Sequence, residues 1–132
     1  MENSTLNPQP STFLYRLAGL PDWEQAQQTG FFASADLAAE GFIHTSELHQ
    51  VLETARRHYA GRPALVLLEI DEGALAAAGV RVEREWAAGR GEFFAHAFAP
   101  IPVGAVRRTW PFREDAASGF RLPAGLAEQP PG

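Results

Sequence analysis

The first third of the chain alternates short apolar runs with amphipathic segments that end at glycines. The run 13–18 is rich in strand-forming residues and is followed by glycine and proline, which predicts a strand. Pro21 suits the first turn of a helix and Gly30 suits the position just after the last turn, so a helix is predicted over 21–29. A shorter helical turn is predicted over 35–39.

The clearest amphipathic helix lies just before the middle of the chain. Its apolar residues recur at the spacing of one helix face, namely Leu48, Val51, Leu52, Ala55 and Tyr59. Ser46 stands where an N-cap is expected, and Gly61 stands where the helix is expected to stop. A strand is predicted over 42–45, so this helix should begin where that strand ends.

The second half of the chain is mostly strand-like. Residues 64–70 are apolar apart from Glu69 and scarcely alternate, which predicts a strand buried on both faces. A short helical turn is predicted between Asp71 and Gly79, followed by strands over 80–86, 93–98 and 103–112. Helices thus cluster in the first half and strands in the second, which is typical of an α+β domain with a mixed or antiparallel sheet.

The length and composition indicate one folded unit. The chain has 132 residues, of which 45% are hydrophobic and 20% are charged, and this is enough for one domain with its own core. We expect that domain to span 13–112. Residues 1–12 predict a flexible N-terminal arm, and residues 113–132 predict a loosely ordered C-terminal tail.

The charge and the lack of cysteine exclude several classes of function. A net charge of −5 argues against non-specific binding to nucleic acid or to an anionic membrane, because both depend on a basic surface. Without cysteine there is no disulfide, no thiolate nucleophile and no cysteine-ligated metal site. The longest apolar run, 64–68, is far shorter than the roughly 20 residues of a membrane span, so we expect a cytoplasmic protein.

One candidate site lies where the strand over 42–45 meets the following helix. Strand alternation places Phe42, His44 and Ser46 on one side, and if Ile43 faces the core, then His44 faces a cleft. An imidazole can hydrogen-bond a ribose hydroxyl, and a helix N-terminus with a hydroxyl beside it can hold an anion. The alternative is structural, with the histidine bonded to a backbone carbonyl and the serine serving only as a cap. Spacing alone favours neither interpretation.

His96 is the second candidate, in a segment with alternating aromatic residues. It shares a predicted strand face with Phe94 and Phe98, whose rings could flank a nucleobase or a nicotinamide. The alternative is a core histidine with one hydrogen-bonded nitrogen, which spacing alone favours slightly.

Arg16 places a positive charge in the first predicted strand. A guanidinium between Tyr15 and Leu17 requires an anionic partner. That partner is either the phosphate or carboxylate of a ligand, or an ion pair with Glu69 or Glu83.

The histidines do not form a metal-binding pattern. His49 and His58 lie about two and a half turns apart on the predicted helix, which is too far for both to bind one ion. His44 and His49 lack the spacing of helical ligands and have no cluster of further ligands nearby. We therefore expect no metal site, with His49 and His58 on the surface and the three tryptophans in the core.

Several of these segments together resemble a known family. They are 14–17, Trp23 with Ala26, 41–46 with Gln50, Gly61 before 65–71, and 94–96. Over about 13–112 the chain resembles the small bacterial family known as domain of unknown function 952, and the Gly-Phe-Ile-His-Thr-Ser segment is the most specific part. The chain departs from the family where it has Ala95 in place of the usual proline and Phe98 in place of the usual tyrosine.

The resemblance implies a fold and a type of ligand. The family is similar to the fold of ADP-ribosyltransferases and tRNA 2′-phosphotransferases, a split, mixed and mostly antiparallel sheet whose cleft takes NAD or ADP-ribose. On that resemblance the candidate catalytic residues are His44, His96 and Glu83, with Glu83 stabilising positive charge as it develops. The candidate ligand-binding residues are Arg16, Thr45, Ser46, Gln50, Phe94 and Phe98.

Two functions follow from these expectations. The first is a protein that binds a nucleotide or another phosphorylated ligand, with NAD as a candidate, and transfers ADP-ribose or phosphate from it. The second is a non-catalytic sensing module that uses the same pocket for a small molecule. The sequence leaves open the oligomeric state and the acceptor of the transferred group.

Overall fold

The computed structural model describes residues 12–126. Its helices are α1 (Leu20–Thr29), α2 (Ala35–Glu40), α3 (Val51–His58) and α4 (Glu72–Ala77), with 3₁₀ turns at Leu48–Gln50 and Val103–Ala105. Its strands are β1 (Phe13–Gly19), β2 (Phe31–Phe32), β3 (Ile43–His44), β4 (Leu65–Asp71), β5 (Val82–Ala87), β6 (Glu92–Ala97), β7 (Ile101–Pro102), β8 (Val106–Phe112), β9 (Glu114–Asp115) and β10 (Gly119–Phe120). The predicted arm, except residue 12, and the last six residues of the predicted tail lie outside the described residues. No helix over 12–126 is both long enough and apolar enough to cross a bilayer.

The first sheet forms the centre of the fold, with the strand order β1-β4-β8 and antiparallel pairing throughout. Six consecutive residues of β4 are buried, as expected for a strand covered on both faces. Neighbouring side chains of β4 enter different cores, since Leu68 packs in a cluster with Trp23 and Leu67 packs in a cluster with Phe112. The sheet therefore separates two apolar layers.

The second sheet is smaller and has the order β3-β6-β5, again antiparallel. Its register places His44 directly opposite His96. A single bridge between Tyr15 and Ser46 joins it to the first sheet through two backbone hydrogen bonds of 2.7 Å. The remaining short strands form two ribbons, β2 with β7 and β9 with β10.

Two helices follow the local signals of the sequence. The first turn of α1 contains Pro21, and the helix ends at Gly30, which has a φ of 91° that favours glycine. At the start of α4 the carboxylate of Asp71 accepts a hydrogen bond from the backbone amide of Ala74, so this short helix also begins where predicted.

The start of the amphipathic helix differs from the prediction. Its N-cap is Glu47, and the Gln50 side chain accepts a hydrogen bond of 2.9 Å from the Glu47 amide in a reciprocal capping box. Ser46 does not cap because its backbone is paired with Tyr15. The helix also stops at His58, earlier than predicted.

The sheets and one tryptophan correct two further expectations. The α+β class is confirmed, but every strand pair among the described residues is antiparallel, so the parallel part of the predicted mixed sheet is not found there. Trp23 is buried, whereas Trp86 is 58% exposed and packs edge-on against Phe93 on the surface of the second sheet. The prediction that all three tryptophans lie in the core is wrong.

Residues 113–126 are part of the folded unit, although the sequence predicted a loose tail there. They form the β9–β10 hairpin and place Phe120 and Leu126 in the core that contains Phe112. The Phe112 and Phe120 rings stack with centroids 5.5 Å apart. This segment completes a core layer that would otherwise be open.

Candidate functional site

A cleft of about 760 Å³ opens between the two sheets. The first sheet contributes Tyr15 and Arg16, and the second sheet contributes His44, Phe94 and His96. Residues of α2, of α3 and of several loops line the rest of it. A more open depression of about 1010 Å³ near β9 and β10 contains none of the predicted site residues.

The two candidate histidines lie side by side in this cleft. Because His44 and His96 are cross-strand partners, their side chains share one face of the second sheet, and their ring centroids are 5.1 Å apart. Ile43 is fully buried, which turns its neighbour towards the cleft. The ring of Phe42 stacks on His96 at 4.0 Å with nearly parallel planes. Folding thus brings the two imidazoles into one aromatic cluster.

Asp36, near the start of α2, organises one side of the cleft. Its Oδ2 accepts hydrogen bonds from Arg16 Nη1 at 2.6 Å, from the His44 amide at 2.9 Å and from His44 Nδ1 at 2.9 Å. Its Oδ1 accepts a hydrogen bond from the Ser34 hydroxyl. Burial would raise the pKa of Asp36, but the hydrogen bonds from His44 and the charge of Arg16 outweigh it and hold the pKa far below its usual range. Asp36 is therefore a carboxylate at neutral pH.

Arg16 has its anionic partner within the protein. That partner is Asp36, whereas the sequence suggested a ligand, Glu69 or Glu83. Glu69 is a buried residue of β4 and pairs with Arg108 at 2.9 Å. The charge of Arg16 is thus compensated before any ligand enters, and this guanidinium is less suited to hold a phosphate than the sequence suggested.

His96 also has a carboxylate on its Nδ1 atom. Glu85 Oε1 lies 2.7 Å away, and the His96 side chain is only 12% exposed. Of the two aromatic residues predicted to flank His96, Phe94 lines the cleft. Phe98 lies outside the lining, beneath Arg81, whose guanidinium carbon is 3.9 Å from the ring centroid.

Glu83, the candidate catalytic acid, lies outside the cleft lining. It stands opposite His96 in the register of the sheet, but its carboxylate is half-exposed and pairs with Arg81 at 3.2 Å. The carboxylate that contacts His96 belongs to Glu85, two residues further along β5. A shift of two residues in the same strand separates the predicted acid from the observed neighbour.

Thr45, Ser46 and Gln50, the uncharged polar residues predicted to bind ligand, all form hydrogen bonds within the protein that join the walls of the cleft. Thr45 donates a hydrogen bond of 2.7 Å to a backbone carbonyl of β6, and the Ser46 hydroxyl lies 3.3 Å from that of Thr54. The Gln50 amide donates to Glu92 and to a backbone carbonyl of β6. Thr45 and Ser46 line the cleft, but Gln50 does not.

Arg90 is a cleft residue that the sequence analysis did not identify. It lies in the loop between β5 and β6, where its Nη1 donates to the Thr54 hydroxyl at 2.9 Å and its guanidinium covers the Phe94 ring at 4.6 Å. It forms no ion pair with any residue of the described part of the chain. Burial, and then the charge of Arg57, lower the pKa of Arg90. The signal in the sequence was an arginine between two glycines, beside the strand that carries Phe94 and His96.

The arrangement can therefore bind an anion through Arg90, stack a flat ring against aromatic side chains and move protons through two imidazoles. No group of three or more potential metal ligands is found over residues 12–126.

A protein of known structure is similar to this chain over most of its length. The crystal structure of protein CC0527 from Caulobacter crescentus is 32% identical, with a TM-score of 0.78, and covers 89% of this chain and 100% of that chain. The solution NMR structure of CC0527 has a TM-score of 0.68 and covers 82% of this chain and 90% of that chain. No curated protein matches the chain.

The family model described as "Protein of unknown function (DUF952)" matches residues 17–109, which is most of the folded unit. The family resemblance carried by the Gly-Phe-Ile-His-Thr-Ser segment is thereby confirmed. This chain belongs to the DUF952 family.

Proposed function

We propose that the cleft binds a nucleotide or another phosphorylated ligand, with NAD as the first ligand to test. The observation that carries this proposal is the presence in one cleft of His44, His96 and Arg90, an arginine that has no ion-pair partner over residues 12–126. Arg90 supplies the cation for a phosphate, and the face of Phe94 or Phe42 supplies a surface for a base. His44, beside them, is available to a ribose hydroxyl.

An ADP-ribosyltransferase-like fold is part of this proposal. Two three-stranded sheets with a cleft between them support it, since the fold suggested by the family resemblance is a split sheet. Fold likeness is a weak guide to activity, so transfer of ADP-ribose or phosphate needs its own test.

A non-catalytic binding module is the second candidate, and the position of Glu83 favours it. Transfer of ADP-ribose requires a carboxylate that stabilises the positive charge on the sugar as the glycosidic bond breaks. The candidate for that task is paired with Arg81 outside the cleft lining. A cleft that binds the nucleotide without such a carboxylate would act as a sensor.

The proposal is tested by thermal unfolding with NAD, ADP-ribose and AMP, with adenosine as the uncharged control. Ligand at 100 times its Kd stabilises the folded state by about 2.7 kcal/mol, so the melting temperature should rise for phosphorylated ligands and much less for adenosine. Arg90→Gln should remove most of the rise, whereas the matched change Arg56→Gln, on the outer face of α3, should retain it. No rise with any of the three at millimolar concentration would contradict the proposal.

Release of nicotinamide from NAD separates the two candidate functions. If transfer takes place, nicotinamide is released by the unmodified protein and the release is lost in His44→Ala and Glu83→Gln. A rise in melting temperature with NAD and no nicotinamide release would favour the binding module.

A further inference from the structure

Both histidines of the cleft are held by a carboxylate at the same ring atom. The Nδ1 atom of His44 lies 2.9 Å from Asp36 Oδ2, and the Nδ1 atom of His96 lies 2.7 Å from Glu85 Oε1. An ionised carboxylate can only accept hydrogen bonds, so each Nδ1 carries a hydrogen. In each ring the other nitrogen, Nε2, is then the atom that gains or loses a proton.

The two Nε2 atoms are left without a hydrogen-bond partner among the described residues. The nearest acidic atom to Nε2 of His44 is Glu40 Oε1, at 3.6 Å, which is too long for a hydrogen bond. No hydrogen bond from a residue of 12–126 reaches Nε2 of His96. The side chain of His44 is 47% exposed, so its free nitrogen is accessible from the cleft.

The carboxylates come from different elements, and this fixes both rings independently. Asp36 belongs to α2 and is itself held by Arg16 and Ser34, whereas Glu85 belongs to β5. The charged groups that contact or approach the pair are therefore these two carboxylates, Glu40 and Arg16. A histidine that only filled space would need no such orientation on both rings.

We propose that His44 and His96 form an acid–base pair that hydrolyses a phosphodiester bond of a nucleotide. This acid–base pair rests on the proposed function in one respect, since the same cleft and Arg90 would hold the phosphate of the substrate. The two ring centroids are 5.1 Å apart on one face of the second sheet, so one phosphate bound in the cleft would lie beside both rings. A diester with an alcohol leaving group is the substrate class that needs both partners, because an alkoxide is too basic to leave without a proton.

The step balances with water as the only other reactant. One imidazole accepts a proton at Nε2 from water as the water oxygen bonds to phosphorus. The bond from phosphorus to the alcohol oxygen breaks, and the second ring, protonated at Nε2, gives its proton to that oxygen. The products are a phosphate monoester and an alcohol, and the two rings exchange protons with solvent to restore the starting state. Arg90 is the cation available to the charge on the phosphoryl oxygens.

The test is hydrolysis of the four 2′,3′-cyclic nucleoside monophosphates in the presence of EDTA, followed by chromatography of the monoester product. His44→Gln and His96→Gln should each lower kcat by about 10²–10⁴-fold. His49→Gln is the matched control, because His49 also pairs with a carboxylate, Glu92 at 2.9 Å, but lies outside the cleft lining. It should keep the rate of the unmodified protein.

A substrate with a better leaving group assigns the two roles. Bis(4-nitrophenyl) phosphate needs no proton on its leaving group, so the variant that lacks the acid should lose much less activity on it than on the cyclic nucleotides. Equal losses on both substrates in both variants would overturn the division into an acid and a base. Glu85→Gln, a change in a positioning residue, should lower kcat by about 10-fold and leave KM unchanged.

The outcomes also separate this proposal from the proposed function. If AMP raises the melting temperature but none of the four cyclic nucleotides is hydrolysed, the binding cleft stands and the acid–base pair is wrong. If hydrolysis occurs and His49→Gln lowers it as much as His44→Gln does, the pair is also wrong. A cooperative thermal unfolding transition near the melting temperature of the unmodified protein shows that the two glutamine variants are folded.

Discussion

The two three-stranded sheets differ sharply in burial. Six consecutive residues of β4, the central strand of the first sheet, are buried, whereas three of the six residues of β6, the central strand of the second sheet, are buried. The first sheet carries fully buried leucines such as Leu68, and the second carries surface aromatics such as Trp86 together with the two histidines of the cleft.

The first sheet mainly stabilises the fold, whereas the second sheet carries the candidate functional residues. Apolar burial on both faces makes the first sheet the main source of stabilisation, since each buried leucine contributes about 1.5–3 kcal/mol relative to an exposed one. The second sheet is joined to it by the Tyr15–Ser46 bridge, and Gln50, in the turn before α3, bonds to β6 of the second sheet. Polar and ionisable side chains can therefore occupy the second sheet without disrupting either core.

The largest effect is expected from Leu68→Ala in the first sheet. Leu68 is fully buried, so the change should lower the free energy of unfolding by about 2–5 kcal/mol, measured by urea denaturation. Trp86→Ala in the second sheet removes a larger side chain but should cost about 1 kcal/mol or less, because that side chain is mostly exposed. Equal losses in the free energy of unfolding in the two variants would contradict the difference in burial between the two sheets.

An intermediate effect is expected from Asp36→Asn, which loosens the second sheet from α2. The change weakens the bonds to Arg16 and His44 and should cost about 1–3 kcal/mol at pH 7. The folded-state pKa of Asp36 is below its unfolded value of about 3.9, so its contribution is complete above that pH and is lost as the pH falls.

The free energy of unfolding should consequently fall less steeply below pH 4 in Asp36→Asn than in the unmodified protein. The comparison variant is Asp115→Asn, whose carboxylate is exposed and has its pKa lowered by the backbone amides of Ala117 and Ser118. It should change the slope less. An unchanged slope in Asp36→Asn would show that this carboxylate does not couple α2 to the sheet.

The smallest effect is expected from Glu83→Gln. Its pair with Arg81 is exposed on the edge strand β5, and such pairs contribute less than about 1 kcal/mol. We expect a change in stability of less than about 0.5 kcal/mol and no change in the rise of melting temperature with AMP. A loss of that rise would show that Glu83 takes part in binding the ligand although it lies outside the cleft lining.

Much of the fold could be predicted from local signals. Residues 64–70 identified β4 because the segment scarcely alternates between apolar and polar residues, as expected for a strand covered on both faces, and Pro21 with Gly30 identified α1. The helix start at Ser46 was wrong because a pairing with distant Tyr15 uses the backbone of that residue. The tail was underestimated because Phe120 and Leu126 contact a core formed by other segments.

The sequence predicted several residues of the candidate site but few of the contacts between them. His44 and His96 were identified from strand alternation, but their carboxylate partners, Asp36 and Glu85, were not. Arg90 was missed because a loop arginine looks the same in sequence whether or not an acidic residue folds against it.

The sequence by itself determined the α+β class, the family and the strands that carry the two histidines, because these follow from periodicity, turn residues and a local motif. Only the tertiary structure decided that His44 faces His96, that Asp36 neutralises Arg16, and that Arg90 lines the cleft without an ion-pair partner among the described residues. The physical reason is that strand register and ion pairing join residues far apart in the chain, and a shift of two residues in β5 exchanges Glu83 for Glu85.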